Sequence, residues 1–133
     1  WQPVELKGIA FINDAYNANP LSMRAGLRTF AQLPGGGKKW AVVGGMRELG
    51  EVADEEHRAL GEFIDGLGLD GVITVGELGR RIICRGPQEC LPCDDTAAAA
   101  ATLNERLQAG DQVLLKASRG ERLEDVIKLF KEM

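Results

Sequence analysis

The sequence predicts an α/β fold: a Rossmann-like, open and mostly parallel sheet with helices on both faces. Three observations carry this expectation. Apolar runs at Ile9–Ile12, Trp40–Val43, Gly71–Val75 and Gln112–Leu115 read as buried strands. The segments between them carry helical periodicity, so strand and helix alternate down the chain. Polar residues out of keeping with their surroundings gather just after the strands, at the edge where open parallel sheets bind ligands.

The chain opens with a small hairpin, in which Lys7-Gly8 turns Val4–Leu6 back onto Ile9–Ile12. A first helix is expected from Pro20 to about Leu33, with Met23, Leu27, Phe30, Ala31 and Leu33 recurring at helical spacing. Asn19 can accept hydrogen bonds from the open backbone N–H groups, and Pro20 suits the first turn. Pro34-Gly35-Gly36-Gly37 ends this helix. That glycine run precedes a strand, and it lacks the spacing and the Ser/Thr of a phosphate loop, so it reads as a flexible turn.

Strand Trp40–Val43 leads into a loop, Gly44–Gly50, and a second helix from about Ala53 to Leu67. Asp54, Glu55 and Glu56 complement the positive end of its dipole. His57, the only histidine, falls in its first turn, where a lone histidine is more often structural than catalytic. Gly71–Val75 is closed by Gly76; a short helix over Glu77–Cys84 and a weak strand at Cys90-Leu91 follow. Alanine-rich Thr96–Gln108 is helical, capped by Asp94-Asp95 and stopped by Ala109-Gly110. The last helix is expected from Glu121 to Lys131, with Ser118-Arg119-Gly120-Glu121 at capping-box spacing.

A chain of 133 residues suits one domain with a real core. With 44% hydrophobic and 27% charged residues, it has the composition of a soluble globular protein. A net charge of -4 argues against nucleic-acid binding through phosphates. No apolar run approaches membrane-spanning length, and no basic region precedes an apolar core at the start, so a cytoplasmic location is expected. Because the chain begins with Trp1, it reads as a piece cut from a longer polypeptide. Three cysteines, an odd number, fit a reducing compartment. Cys90 and Cys93 have the spacing of a redox or zinc pair, but Asp94-Asp95 beside them would raise a thiol pKa. Only Cys84 and His57 remain as further ligands, so no metal site is expected.

On this fold, Asp14, Tyr16 and Asn17 follow one strand and Gly44, Arg47 and Glu48 a second. Gly76 and Glu77 follow a third, and Lys116, Ser118 and Arg119 a fourth. All would share the carboxyl edge. There is no dinucleotide fingerprint and no Ser/His/Asp order, so residue chemistry alone stops at an anion or nucleotide site.

Asp-Ala-Tyr-Asn-Ala-Asn-Pro-Leu-Ser-Met at 14–23 resembles the signature that opens the C-terminal domain in the MurF branch of the Mur ligase family. Val42–Gly50 with His57, Val75-Gly76, and Leu115–Arg119 with Leu123-Glu124 resemble the same branch, in the same order. The resemblance implies a three-domain ATP-dependent ligase of peptidoglycan precursor synthesis that adds D-Ala-D-Ala to a UDP-N-acetylmuramoyl-tripeptide. An N-terminal domain would hold the UDP-sugar peptide. A central domain with a phosphate loop would hold most of the ATP and Mg, and this domain would close over them. By matching position, Asp14, Tyr16, Asn17, Asn19 and Ser118 are implied to face the nucleotide. Lys116 and Arg119 are implied to meet charge on the transferring phosphoryl group. Arg47, Glu48 and His57 are implied to lie on the substrate side.

The branch usually has Gly-Asp-Met where this chain has Gly44-Gly45-Met46, with Glu48 and Glu77 as nearby carboxylates. Lacking a phosphate loop, the 133 residues alone are expected to catalyse nothing. The alternatives are a related Mur or folylpolyglutamate-type ligase domain joining another amino acid, and a stand-alone binding module that lost its ATPase. A flavodoxin-type phosphate binder is a third, which Asp14 and Tyr16 fit poorly.

Overall fold

The computed structural model describes residues 1, 3–15, 19–117 and 122–133. A hairpin of β1 (Val4–Leu6) and β2 (Ile9–Asn13) opens the chain. Lys7 and Gly8 both take positive φ, 56° and 79°, which suits a two-residue turn between twisted strands. Next come α1 (Pro20–Ala31), β3 (Lys39–Gly44), a 3-10 turn at Gly50–Val52 and α2 (Ala53–Asp65). Then follow β4 (Gly71–Val75), α3 (Gly76–Gly79), β5 (Glu89–Cys93), α4 (Thr96–Arg106), β6 (Gln112–Lys116) and α5 (Glu124–Lys131).

The six strands form one sheet in the order β1-β2-β6-β3-β4-β5. Only the β1–β2 pair is antiparallel; β2–β6, β6–β3, β3–β4 and β4–β5 are parallel. Alternate strand residues point to opposite faces, and each face is buried by its own helices. Phe11, Val42, Ile73 and Val113 pack against Ala99 and Leu103 of α4 and Val126 and Phe130 of α5. Ile12, Ala41, Val72 and Leu114 pack against Met23, Leu27 and Phe30 of α1 and Leu60 and Ile64 of α2. The mostly parallel sheet with helices on both faces is therefore the fold that the alternation predicts.

Several element ends differ from expectation. Helix α1 stops at Ala31 and α2 at Asp65, where Gln32 and Gly66 turn their N–H groups back onto the last turn, leaving Leu33 and Leu67 outside. The helix expected over Glu77–Cys84 is one turn only, Gly76–Gly79, with a weakly helical glycine at each end. Strand β5 runs through Cys93, beyond Leu91, because its pairing with β4 recruits the extra residues. Pro92 is tolerated there because β5 is an edge strand. Helix α4 ends at Arg106, and α5 begins at Glu124, three residues later than expected. The capping box proposed for Ser118 and Glu121 lies outside the described residues.

Candidate functional site

Every parallel strand ends on the same side, so the described residues after β2, β3 and β4 share one carboxyl edge with Lys116 at the end of β6. Strand β6 lies between β2 and β3, yet α5 after it covers one face while α1 and α2, which follow β2 and β3, cover the other. Adjacent strands whose helices leave to opposite faces open a crevice at their ends, where ligands of such sheets bind. Asp14 and Lys116 stand at that crevice, one residue past β2 and at the last residue of β6.

The two residues meet. Lys116 Nζ donates to Asp14 Oδ2 at 2.7 Å, with the lysine side chain 4% exposed and the aspartate side chain 29% exposed. The Asp14 N–H also donates to Leu115 O, which ties the loop to β6. The sequence implied that these side chains face different parts of a nucleotide; in the fold each first faces the other. Adjacency of β2 and β6 is the reason. Gly26, buried on α1, packs directly over the pair. Asn13 holds the start of the loop, its side-chain oxygen accepting from the Ala15 N–H at 3.1 Å. Gly26 is not singled out by the sequence. A glycine inside a helical pattern was the signal available for Gly26.

Asn19 caps α1 as the sequence predicts. Its Oδ1 accepts from the Ser22 N–H at 2.8 Å, and Ser22 Oγ accepts from the Asn19 N–H at 3.0 Å. The side-chain oxygen is thereby engaged in a capping box. Tyr16, Asn17, Ser118 and Arg119 lie outside the described residues.

The loop after β3 is organised from below by His57. The ring is fully buried, Nε2 accepts from the Met46 N–H at 2.8 Å, and Nδ1 lies 2.6 Å from Ala53 O. With Met46 donating to Nε2, the proton sits on Nδ1 and is donated to the carbonyl. The substrate contact implied for His57 thus gives way to a supporting place: both nitrogens hold backbone. Arg47 and Glu48 are exposed at the rim, Glu48 with a positive φ of 63°. At Gly45 a Cβ would collide with Leu78 of α3, its side chain and backbone alike. Glycine is what allows α3 to pack this closely on the loop.

An open cavity of about 880 Å³ runs along α1, with Asp14, Ser22 and Lys116 at one end, Ile12 and Ala25 on its walls and Gln112 at the far end. Its polar end is the crevice. The cysteine spacing proves incidental: Cys90 and Cys93 fall on opposite faces of β5, with Cys93 in the α4–α5 core. Burial, and then the neighbouring Cys90 thiol, push the Cys84 thiol well above its usual range. Among the described residues, no group of three or more His, Cys, Asp or Glu side chains could hold a metal ion. No helix among them is long and apolar enough to cross a membrane.

The Mur ligase, glutamate ligase domain family matches residues 1–119. A UDP-N-acetylmuramoyl-tripeptide–D-alanyl-D-alanine ligase of Bacillus subtilis (strain 168) is 37% identical over 127 residues, covering 91% of this chain and 28% of that protein. A MurF ligase from Thermotoga maritima, solved in complex with ADP, superposes with a TM-score of 0.85 at 37% identity. The match covers 98% of this chain and 30% of that one. A UDP-N-acetylmuramoyl-L-alanyl-D-glutamate–2,6-diaminopimelate ligase shares the fold alone, with a TM-score of 0.63 at 18% identity over 98% of this chain and 31% of that one. The chain thus spans about 28% to 31% of the length of these relatives.

Proposed function

The chain belongs to the Mur ligase family, and from that premise we propose that it is the C-terminal domain of a three-domain, ATP-dependent ligase. The reaction proposed is addition of D-Ala-D-Ala to a UDP-N-acetylmuramoyl-tripeptide in the cytoplasm, in peptidoglycan precursor synthesis. The observation that carries this reading is the Asp14–Met23 sequence, which begins with Asp14 at the crevice, in a chain 37% identical to a ligase named for that reaction. Likeness to the diaminopimelate-adding relative stops at the fold, which disfavours a domain that joins another amino acid.

In this reading the carboxyl edge closes against the ATPase and N-terminal domains of the same polypeptide. Closure excludes water from a hydrolysable acyl phosphate and holds the attacking amine in position. Asp14, Asn19 and, outside the described residues, Tyr16, Asn17 and Ser118 face the nucleotide. Lys116, held in place by Asp14, supplies positive charge for the phosphate side, and the same role is proposed for Arg119, outside the described residues. Arg47 and Glu48 line the dipeptide side, on the loop that His57 supports. ATP enters as a substrate. The described residues do not fit a metal ion, so Mg is assigned to the rest of the ligase and no step here runs through it.

The test is incorporation of labelled D-Ala-D-Ala into UDP-N-acetylmuramoyl-tripeptide by the full-length polypeptide, with glutamate and lysine as competitors. The dipeptide alone should be incorporated, and only unlabelled dipeptide should compete. Incorporation of glutamate or lysine instead would transfer the chain to a related ligase. The isolated 133 residues should show no turnover.

A further inference from the structure

We propose that Gly26 is the positioning residue of the Lys116–Asp14 pair, setting where the lysine ammonium stands in the ligation site; this rests on the ligase reading above. Gly26 is the seventh residue of α1, well inside the helix, so neither capping nor a turn calls for glycine. Its φ is not positive. At such a position alanine is ordinarily favoured by about 0.5–1 kcal/mol. Yet a Cβ there would lie 2.9 Å from Lys116 Cδ, 3.0 Å from Lys116 Cε and 3.3 Å from Asp14 Oδ2. All three nearest atoms belong to the pair. What the missing side chain makes room for is the passage of the lysine stem across the helix to the carboxylate.

The rest of the geometry leaves the stem little choice. The Lys116 backbone ends β6 opposite Val43 of β3, and the preceding Leu115 is paired with Asn13 of β2 and accepts from the Asp14 N–H. The Lys116 side chain is 4% exposed and lines the end of the open cavity along α1, which is the space into which its flexible end can shift. An added methyl group at 26 must therefore displace the flexible end of Lys116, not the sheet. The fold survives and the ammonium moves. Misplacing a group by about 1 Å in such a site can lower turnover roughly 100-fold.

The test uses the full-length ligase as wild type, G26A, K116A and the double variant, followed by ligation rate against ATP concentration and by thermal unfolding. G26A alone should lower kcat/KM by about tenfold or more, within the range that misplacement produces. In the K116A background, where the stem is gone, it should lower it no further. Thermal stability should show the same dependence: G26A fails to raise the midpoint when Lys116 is present and raises it when Lys116 is alanine. A structural role unrelated to the lysine would act equally in both backgrounds. Wild-type kcat/KM in G26A, or an equal loss in both backgrounds, would overturn the proposal. Should the wild-type polypeptide ligate nothing, the ligase reading fails. The thermal comparison would still judge Gly26, and equal midpoint shifts in both backgrounds would overturn its role.

Discussion

Lys116 Nζ donates to Asp14 Oδ2 at 2.7 Å, joining two residues 102 positions apart in sequence at the crevice between β2 and β6. The partners are unequally placed. The aspartate side chain keeps 29% of its surface in water and the lysine only 4%. Removing one member of a buried pair typically costs about 3–5 kcal/mol, because the other charge is left without compensation. Partial hydration of Asp14 reduces that cost when the lysine is the member removed.

The expected outcome is therefore asymmetric. Asp14→Ala should destabilise the protein by more than Lys116→Met, by about 1–2 kcal/mol, since it takes the carboxylate partner from the more deeply buried charge. Lys116→Met also keeps the apolar stem volume. Chemical denaturation of the two variants measures the difference directly, and equal losses would show that burial does not separate the partners.

His57 supplies a second prediction. Its ring holds the Met46 N–H from beneath the loop after β3, at 2.8 Å. His57→Leu fills most of the volume but leaves that buried donor unsatisfied, at a cost of about 1–3 kcal/mol. Amide exchange at Met46 should accelerate more than exchange within β3. Unchanged protection at Met46 would mean that the histidine does not hold the loop.

Gly45 gives a third. An aspartate there would drive a side chain into Leu78 of α3, so Gly45→Asp should cost about 1–3 kcal/mol as overpacking. Adding Leu78→Gly should recover part of the loss. A Gly45→Asp protein with wild-type denaturation would show that α3 moves aside freely.

Asp65 makes stability depend on pH. Burial works to raise its pKa, but hydrogen bonds from Gln88 and from the Arg85 and Gly86 N–H groups, with the Arg85 charge, outweigh burial and lower it below 3.8. A carboxylate with a lowered folded-state pKa stabilises fully above its unfolded value of about 3.9, and the contribution is lost as pH falls through the folded pKa. Asp65→Asn should thus melt below wild type at pH 7, and the gap should narrow as the medium is acidified past about pH 3.9. A gap that stays constant down to strongly acid pH would contradict this role.

Much of the fold was legible because its strands are apolar runs and its helices carry clear starts. Asn19-Pro20 and Asp95 cap α1 and α4 where the sequence places those starts. The carboxyl edge followed from the alternation alone. What the sequence hid are the relations made by sheet order. Nothing local to Asp14 or Lys116 reveals that β6 inserts between β2 and β3 and brings the two together. Gly26 read as an unremarked helical position because its reason lies on another strand. His57 could be read as structural from its lone occurrence, yet its partner, the Met46 N–H, depends on how the loop after β3 folds back on α2. The sequence argued against a Cys90–Cys93 pair from the adjacent acids, but not from the strand, which puts residues three apart on opposite faces.

The central claim is that these 133 residues complete a D-Ala-D-Ala-adding ligase. Its most direct test is product formation from ATP, UDP-N-acetylmuramoyl-tripeptide and D-Ala-D-Ala by the full-length polypeptide, beside the same polypeptide lacking this domain. The intact protein should form the extended peptide with matching ADP release, and the truncated one should form none. Equal turnover without the domain, or no ligation by the intact protein, would contradict the account.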